Sequence, residues 1–210
     1  MSKGVLTVVS GFSGAGKGTV MKRLIQKYND YALSISVTTR KPREGERDGI
    51  EYFFKTKEEV ETMIENDEFL EYARYVDNYY GTPRFYVEEM LAKGKNVILE
   101  IEIQGAMQIK AKNPEAVLVF VTPPSFEELR NRLVGRGTET ADVIESRLRR
   151  ASEEAEGMSS YDYILVNDQV EDCVDRLHQI ILSERAKAQR NEEFINTIRQ
   201  EARIFMKGDK

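Results

Sequence analysis

Nine consecutive residues, Gly11-Phe12-Ser13-Gly14-Ala15-Gly16-Lys17-Gly18-Thr19, carry the clearest chemistry in the sequence. Glycines at 11, 14 and 16 let a backbone turn tightly and aim several N–H groups at one anion. Lys17 follows with the spacing G-x-x-x-x-G-K, placed to reach the outer phosphates of a nucleotide. The stretch lies between an apolar run, Val5 to Val9, and a helical pattern that begins at Val20. Strand, glycine loop and helix are the context a phosphate-binding loop needs, because the helix start adds its positive dipole end.

The residue after such a lysine is usually Ser or Thr, whose hydroxyl meets Mg²⁺; here it is Gly18. Thr19, one place later, is better placed for an inner phosphate. Any Mg²⁺ would therefore be held mostly by water and phosphate oxygens, which this ion accepts readily. Glycine in this slot resembles the nucleoside monophosphate kinases more than motor or GTPase proteins.

Two further regions could grip phosphate. Arg40 and Arg43, with hydroxyls at Ser36, Thr38 and Thr39, form a candidate cradle, since arginine forks match phosphate oxygens. Arg130, Arg132, Arg136, Arg147, Arg149 and Arg150 cluster around a Gly-Arg-Gly at 135–137 that reads as a mobile flap; half or more of them are expected to be plain helix surface.

Composition narrows the class. In 210 residues, 40% are hydrophobic and 32% charged, as in an ordinary soluble globular protein with one domain and insertions. A net charge of −5 and a pI near 5.2 argue against a general nucleic-acid binder. The single cysteine, Cys173, excludes an internal disulfide and fits a reducing compartment. It and the lone His178 share a helical stretch, and both read as structural. No apolar run approaches the length of a membrane span, and the N-terminal run lacks a cleavage site, so the cytoplasm is the expected compartment.

The elements that must position these residues follow from periodicity. A helix runs from the glycine loop to about Tyr28, and residues 34–40 alternate as a strand. Glu51 to Phe54 reads as a short strand, Lys57 to Asn66 as a helix capped by Thr56 and Glu59, Phe69 to Val76 as a strand, and Tyr79 to Pro83 as a turn. A helix from Arg84 to Ala92 precedes an apolar strand ending in Glu100 and Glu102, then a helix from Gly105 to Lys112. A buried strand spans 116–121, a helix capped by Ser125 follows, and a last strand covers 161–168 before helices to the C-terminus. Strands alternating with helices give a doubly wound α/β parallel sheet. The short, tyrosine-rich segment at 34–85 reads as a substrate-binding insertion into a core of 1–33 and 86–210. A final stripe, Phe194, Ile198, Ala202 and Phe205, reads as core, intersubunit surface or both, which makes a homodimer one expectation.

The pattern closely resembles the guanylate kinases, which phosphorylate GMP with ATP. Seven stretches carry the resemblance over roughly residues 4–187: 11–19, 36–46, Tyr79-Tyr80-Gly81, Ile103-Gln104-Gly105, Pro123-Pro124-Ser125, 132–139 and Val166-Asn167-Asp168. The resemblance implies a P-loop core binding ATP, the insertion binding GMP or dGMP, and a lid at about 135–157. It places ATP on Gly11, Ser13, Gly14, Ala15, Gly16, Lys17, Gly18, Thr19, Arg132, Arg136, Asn167 and Asp168. It sets Ser36, Glu71 and Thr82 toward guanine, and Arg40, Arg43, Tyr52 and Tyr80 on its phosphate, with Gly81 and Glu102 beside them. Glu100 and Glu102 stand where many relatives carry aspartate, so the resemblance implies a Mg²⁺ contact from Glu100, direct or bridged by water. Lys17, Arg136 and Arg147 would clamp the transferred group.

Glu71 makes chemical sense as the selector. Guanine offers adjacent N1–H and N2–H donors to one carboxylate, whereas adenine presents an acceptor at N1. Because the acceptor phosphate is already ionised, no strong general base is needed, and alignment and charge neutralisation carry the reaction. Two other readings stand beside this one. Scaffold proteins with a guanylate kinase-like domain bind peptides and typically lack an intact ATP loop, which this chain keeps. A kinase for another nucleotide would differ at the Ser36, Glu71 and Thr82 set.

Overall fold

The computed structural model describes residues 3–135, 137 and 140–208. Among the described residues, nine strands form two sheets. Five of them, β1 (Leu6–Gly11), β2 (Tyr31–Leu33), β7 (Asn96–Glu100), β8 (Val117–Thr122) and β9 (Tyr163–Val166), make an all-parallel sheet in the order β2-β7-β1-β8-β9. The apolar side chains of β1, β7 and β8 are buried, as expected for strands covered on both faces. The chain order reverses at β1, so the crevice at the carboxyl ends of β1 and its neighbours is where such sheets take ligands.

The first helix, α1 (Lys17–Lys27), packs against α7 (Val170–Arg185) on one face of this sheet. Arg23 pairs with Glu171 at 2.5 Å and Lys27 with Asp175 at 2.6 Å along that seam. His178 stacks on Tyr28 at 3.7 Å and meets the Tyr31 hydroxyl at 2.7 Å. Burial pushes the Cys173 thiol up to about 11, which suits packing rather than nucleophilic attack. Both residues are structural, as their helical setting suggested.

The second sheet has the order β4-β3-β6-β5, from β3 (Val37–Thr38), β4 (Phe53–Phe54), β5 (Phe69–Tyr75) and β6 (Asn78–Pro83). Beside it lies α2 (Lys57–Glu65), whose Thr56 and Glu59 form both halves of the expected capping box. The core helices are completed by α3 (Arg84–Ala92), α4 (Ile103–Lys112) and α5 (Phe126–Gly135), the last capped by the Ser125 hydroxyl. A sixteen-residue helix, α6 (Ala141–Glu156), covers the crevice side, and α8 (Glu192–Gly208) ends the described chain. No helix among the described residues is long and apolar enough to cross a membrane.

Three expectations change. Tyr79 to Pro83 is not a turn but the body of β6, paired with both β3 and β5. Gly81 misled as a turn residue; it is small because the Phe69 ring lies against it, 2.7 Å from where a Cβ would stand. The reversal falls instead at Val76, whose φ is 56°. The strand expected across 34–40 contracts to Val37–Thr38, and α4 starts at Ile103 rather than Gly105. Tyr31–Leu33 was not foreseen as a strand, being only three residues at the sheet edge.

Candidate active site

The glycine loop joins β1 to α1 at the carboxyl edge of the parallel sheet. Gly16 is the residue before α1 and lies in the left-handed region at φ 89°, a conformation that strains residues bearing a Cβ. It also has no room for one, because Asn167 Nδ2 would stand 2.6 Å away. The same Nδ2 donates to the Ala15 carbonyl at 2.7 Å in a buried bond. Asn167 thus pins the loop from the end of β9, while Asp168 beside it is exposed.

The start of α1 differs from that of α2. It has no capping side chain and no acid in its first turn. Its first N–H groups are therefore available to an anion, with the helix dipole behind them. Lys17 Nζ donates to the carbonyls of Gly11 at 2.7 Å and Phe12 at 3.2 Å. Burial pushes the Lys17 pKa below its ordinary value, and Glu100 and Glu102 oppose that shift. Glu100 lies at the end of β7, and its Oε2 would be 4.0 Å from a Cβ on Gly18. Its carboxyl is pushed up by desolvation in the crevice and pulled down by Lys17.

Two arginines of α6 reach across this crevice. Arg147 Nη1 donates to the Ser13 hydroxyl at 2.8 Å, and Arg150 Nη2 to Glu102 Oε2 at 2.6 Å. Arg150 also meets Glu154 at 3.0 Å. Glu102 precedes the first residue of α4, so the structure places it against an arginine of α6. Arg132 lies on α5 and pairs with Glu128 at 2.7 Å. Arg136 falls outside the described residues.

The small sheet presents a second cluster. Glu71 is buried, and the Thr82 hydroxyl donates to its Oε1 at 2.7 Å. Its Oε2 faces α4, 3.1 Å from where Gly105 would carry a Cβ. Burial pushes this carboxyl up, with the hydrogen bonds from Thr82 pulling it down. Two residues along β6, Tyr80 lies beside Tyr52 with ring centroids 6.2 Å apart. Arg40 sits over the Tyr52 ring at 5.3 Å and donates to Glu46 Oε1 at 2.9 Å. Thr82 and Tyr80 share one face of β6, about 7 Å apart along the strand. A buried carboxyl and a cation thus lie at two ends of one surface. Arg43 contributes its backbone N–H to Glu46 at 2.8 Å, and its side chain is exposed. Ser36 is half-buried and its carbonyl accepts from Phe53 N–H at 2.9 Å.

Sequence reasoning missed Glu46 and did not single Arg150 out of its cluster. The first was legible in principle, since Gly45 turns the chain back toward Arg40. The second was one basic residue among many, with no signal in its spacing.

A parallel sheet whose switch point carries an uncapped helix start and a half-buried lysine defines a P-loop nucleotide-binding protein. The guanylate kinase family model matches residues 3–184. The guanylate kinase of Oceanobacillus iheyensis is 54% identical over 188 residues, covering 90% of this chain and 91% of its own. That of Caldanaerobacter subterraneus subsp. tengcongensis is 50% identical over 200 residues, covering 95% and 97%. The crystal structure of guanylate kinase from Anaplasma phagocytophilum superposes with a TM-score of 0.69 at 35% identity, covering 90% of each chain. The chain belongs to the guanylate kinase family.

One prediction arises from the contact at Gly105. Gly105→Ala should push a methyl against Glu71 Oε2 and Ile101, each 3.1 Å away, and displace the carboxyl by a few tenths of an ångström. We expect the KM for the acceptor nucleotide to rise about tenfold, the equivalent of about 1.4 kcal/mol, with the KM for ATP unchanged. Steady-state kinetics with each substrate varied in turn checks it.

Proposed function

We infer that the protein transfers the γ-phosphoryl group of ATP to GMP, giving ADP and GDP. Family membership carries the reaction, and the buried Glu71 with its Thr82 donor is the observation that carries the acceptor. Guanine N1–H and N2–H would donate to this carboxylate, with Ser36 and Thr82 hydroxyls alongside. Arg40, Arg43, Tyr52 and Tyr80 would take the GMP phosphate, with Gly81 and Glu102 lining the site. dGMP fits the same contacts, since none of them addresses the 2′-hydroxyl.

ATP phosphates would lie on the backbone of Gly11, Ser13, Gly14, Ala15, Gly16, Gly18 and Thr19, with Lys17 on the outer pair. Asn167 supports this loop from beneath, and Arg132 and Asp168 belong to the region of the adenosine end. An oxygen of the GMP phosphate attacks the γ-phosphorus, and the bond to the β-phosphate bridging oxygen breaks, leaving its electron pair on ADP. No protein base is required, because the nucleophile is already ionised. Lys17, Arg136 and Arg147 would balance the charge spreading over the transferred group. We assign the segment 34–85 to GMP, the remainder to the ATP core, and about 135–157 to a lid that excludes water.

The residues present fit a Mg²⁺ carried by the nucleotide. Gly18 offers no hydroxyl, and no cluster of three acid, His or Cys ligands forms among the described residues. Glu100 stands close enough to the loop to reach such an ion through water. When bound, the ion neutralises charge on the β- and γ-phosphates. The buried, unpaired thiol fits a reducing compartment, and we place the protein in the cytoplasm.

A coupled assay of ADP formation with Mg-ATP tests the reading. GMP and dGMP should turn over, while AMP, UMP and CMP should not. Turnover of AMP or UMP without GMP would overturn the guanine assignment.

A further inference from the structure

Helix α6 carries a shielded carboxylate that the reaction does not use. Glu154 lies two turns after Arg147 on one face of the helix, a face that also holds Arg150 and the buried Ala151. Its side chain is only 14% exposed. Oε1 accepts from Arg150 Nε at 3.0 Å, and Oε2 is buried with no hydrogen-bond partner among the described residues. A carboxylate so placed costs stability that an apolar side chain of similar size would not. Packing alone does not account for it.

Arg150 does. Its guanidinium divides its donors between two acids, Nε to Glu154 and Nη2 to Glu102 Oε2 at 2.6 Å. The two ends differ. Glu154 is held at the shielded root of α6, whereas the Glu102 side chain is 72% exposed and immediately precedes α4. The root itself is seated against the start of α4. Gly157, which follows α6, has Ile103 3.7 Å from where its Cβ would stand. A long exposed carboxylate samples several rotamers, and stilling it when a ligand binds costs about twofold to tenfold in affinity. Arg150 stills it beforehand through Oε2, which leaves Oε1 unbonded among the described residues.

We propose that Glu154 is a positioning residue for the acceptor nucleotide: by fixing the Arg150 fork it holds Glu102 in place at the acceptor site. The inference rests on the reading above that Glu102 lines that site. Lysine could not replace Arg150, because a single ammonium on a flexible stem lacks the rigid fork that reaches two acids at once. The three side chains form one unit, so changes within it should overlap rather than add.

Glu154→Gln keeps the shape and turns the charge-assisted bond to Arg150 into a weaker neutral one. Steady-state kinetics of the full chain with Mg-ATP should show the KM for GMP raised about fivefold, with kcat and the KM for ATP unchanged. Arg150→Lys should do the same, and the two changes together should do no more than either alone. In a Glu102→Gln background, Glu154→Gln should have no further effect on GMP. An unchanged KM for GMP in both single variants, or effects that multiply in the pair, would overturn the proposal. Equal losses in kcat and in both KM values, with a lowered melting temperature, would also sink it, since that is the mark of a merely structural residue. Should Glu154→Gln fail to fold, the more exposed Arg150→Lys carries the same comparison with Glu102→Gln. The parent chain separates two kinds of failure. A parent inactive on GMP refutes the acceptor reading and this inference with it, whereas an active parent with unaltered variants refutes this inference alone.

Discussion

Lys17→Ala should lower kcat for ATP-dependent phosphorylation of GMP by about 10³-fold, the scale seen when a preorganised donor to a developing charge is removed. Lys17 is the cation nearest the carbonyls of the glycine loop, held by Gly11 and Phe12. Alanine leaves the backbone N–H cradle in place, so ATP should bind more weakly but still bind. The loss should therefore be larger in kcat than in the dissociation constant of ATP. Folding should respond the opposite way. Burial pushes the lysine pKa below its ordinary 10.5, so the folded state holds this proton less tightly than the unfolded chain. Stability from this group thus rises with pH toward that ordinary value, and the charged lysine costs stability at neutral pH. The melting temperature of Lys17→Ala should be equal to or above that of the parent. Single-turnover kinetics and calorimetry check the two halves, and a fall in melting temperature with normal kcat would refute both.

Glu71→Gln should cost GMP about 10⁴-fold in kcat/KM, the range for a site built around hydrogen bonds that are then left unmatched. The amide has one acceptor oxygen and turns two N–H donors toward guanine donors. Turnover of AMP, poor to begin with, should be little affected, so selectivity collapses from one side. The pH dependence adds a second signature. Burial pushes the Glu71 carboxyl above its ordinary 4.5. Activity on GMP should fall with decreasing pH from a point above that value, because the protonated acid accepts only once. Stability of the nucleotide-free protein has the opposite slope. A carboxyl with a raised folded pKa favours folding below 4.5 and loses that contribution as pH climbs through the raised value. Glu71→Gln should lack both dependences. Matched pH profiles of kcat/KM and of melting temperature decide it, and a mutant that keeps the parent slope on GMP would rule Glu71 out as the selector.

The parts of this protein visible in its sequence were those with local causes. The glycine loop, the Thr56–Glu59 capping box and the buried runs of β1, β7 and β8 are each specified within ten residues. Other features depend on partners far along the chain. Gly81 and Pro83 looked like turn residues because nothing local revealed the Phe69 ring. Tyr31–Leu33 is a strand only because β7 lies beside it. The Asn167 bond to Ala15 spans 152 positions, and the Arg150 bond to Glu102 spans 48. The spacing of the α8 stripe is that of core, intersubunit surface or both, and its exposure removes core.

Four cations of the candidate site are each engaged by an oxygen of the protein itself. Lys17 rests on main-chain carbonyls, Arg40 on Glu46, Arg147 on Ser13 and Arg150 on Glu102. Nucleotide capture there would be an exchange of ligands rather than an addition of them. A phosphate would have to outcompete a carbonyl, a hydroxyl or a carboxylate already in place, and the charge-assisted bonds it forms with lysine and arginine are the strong ones.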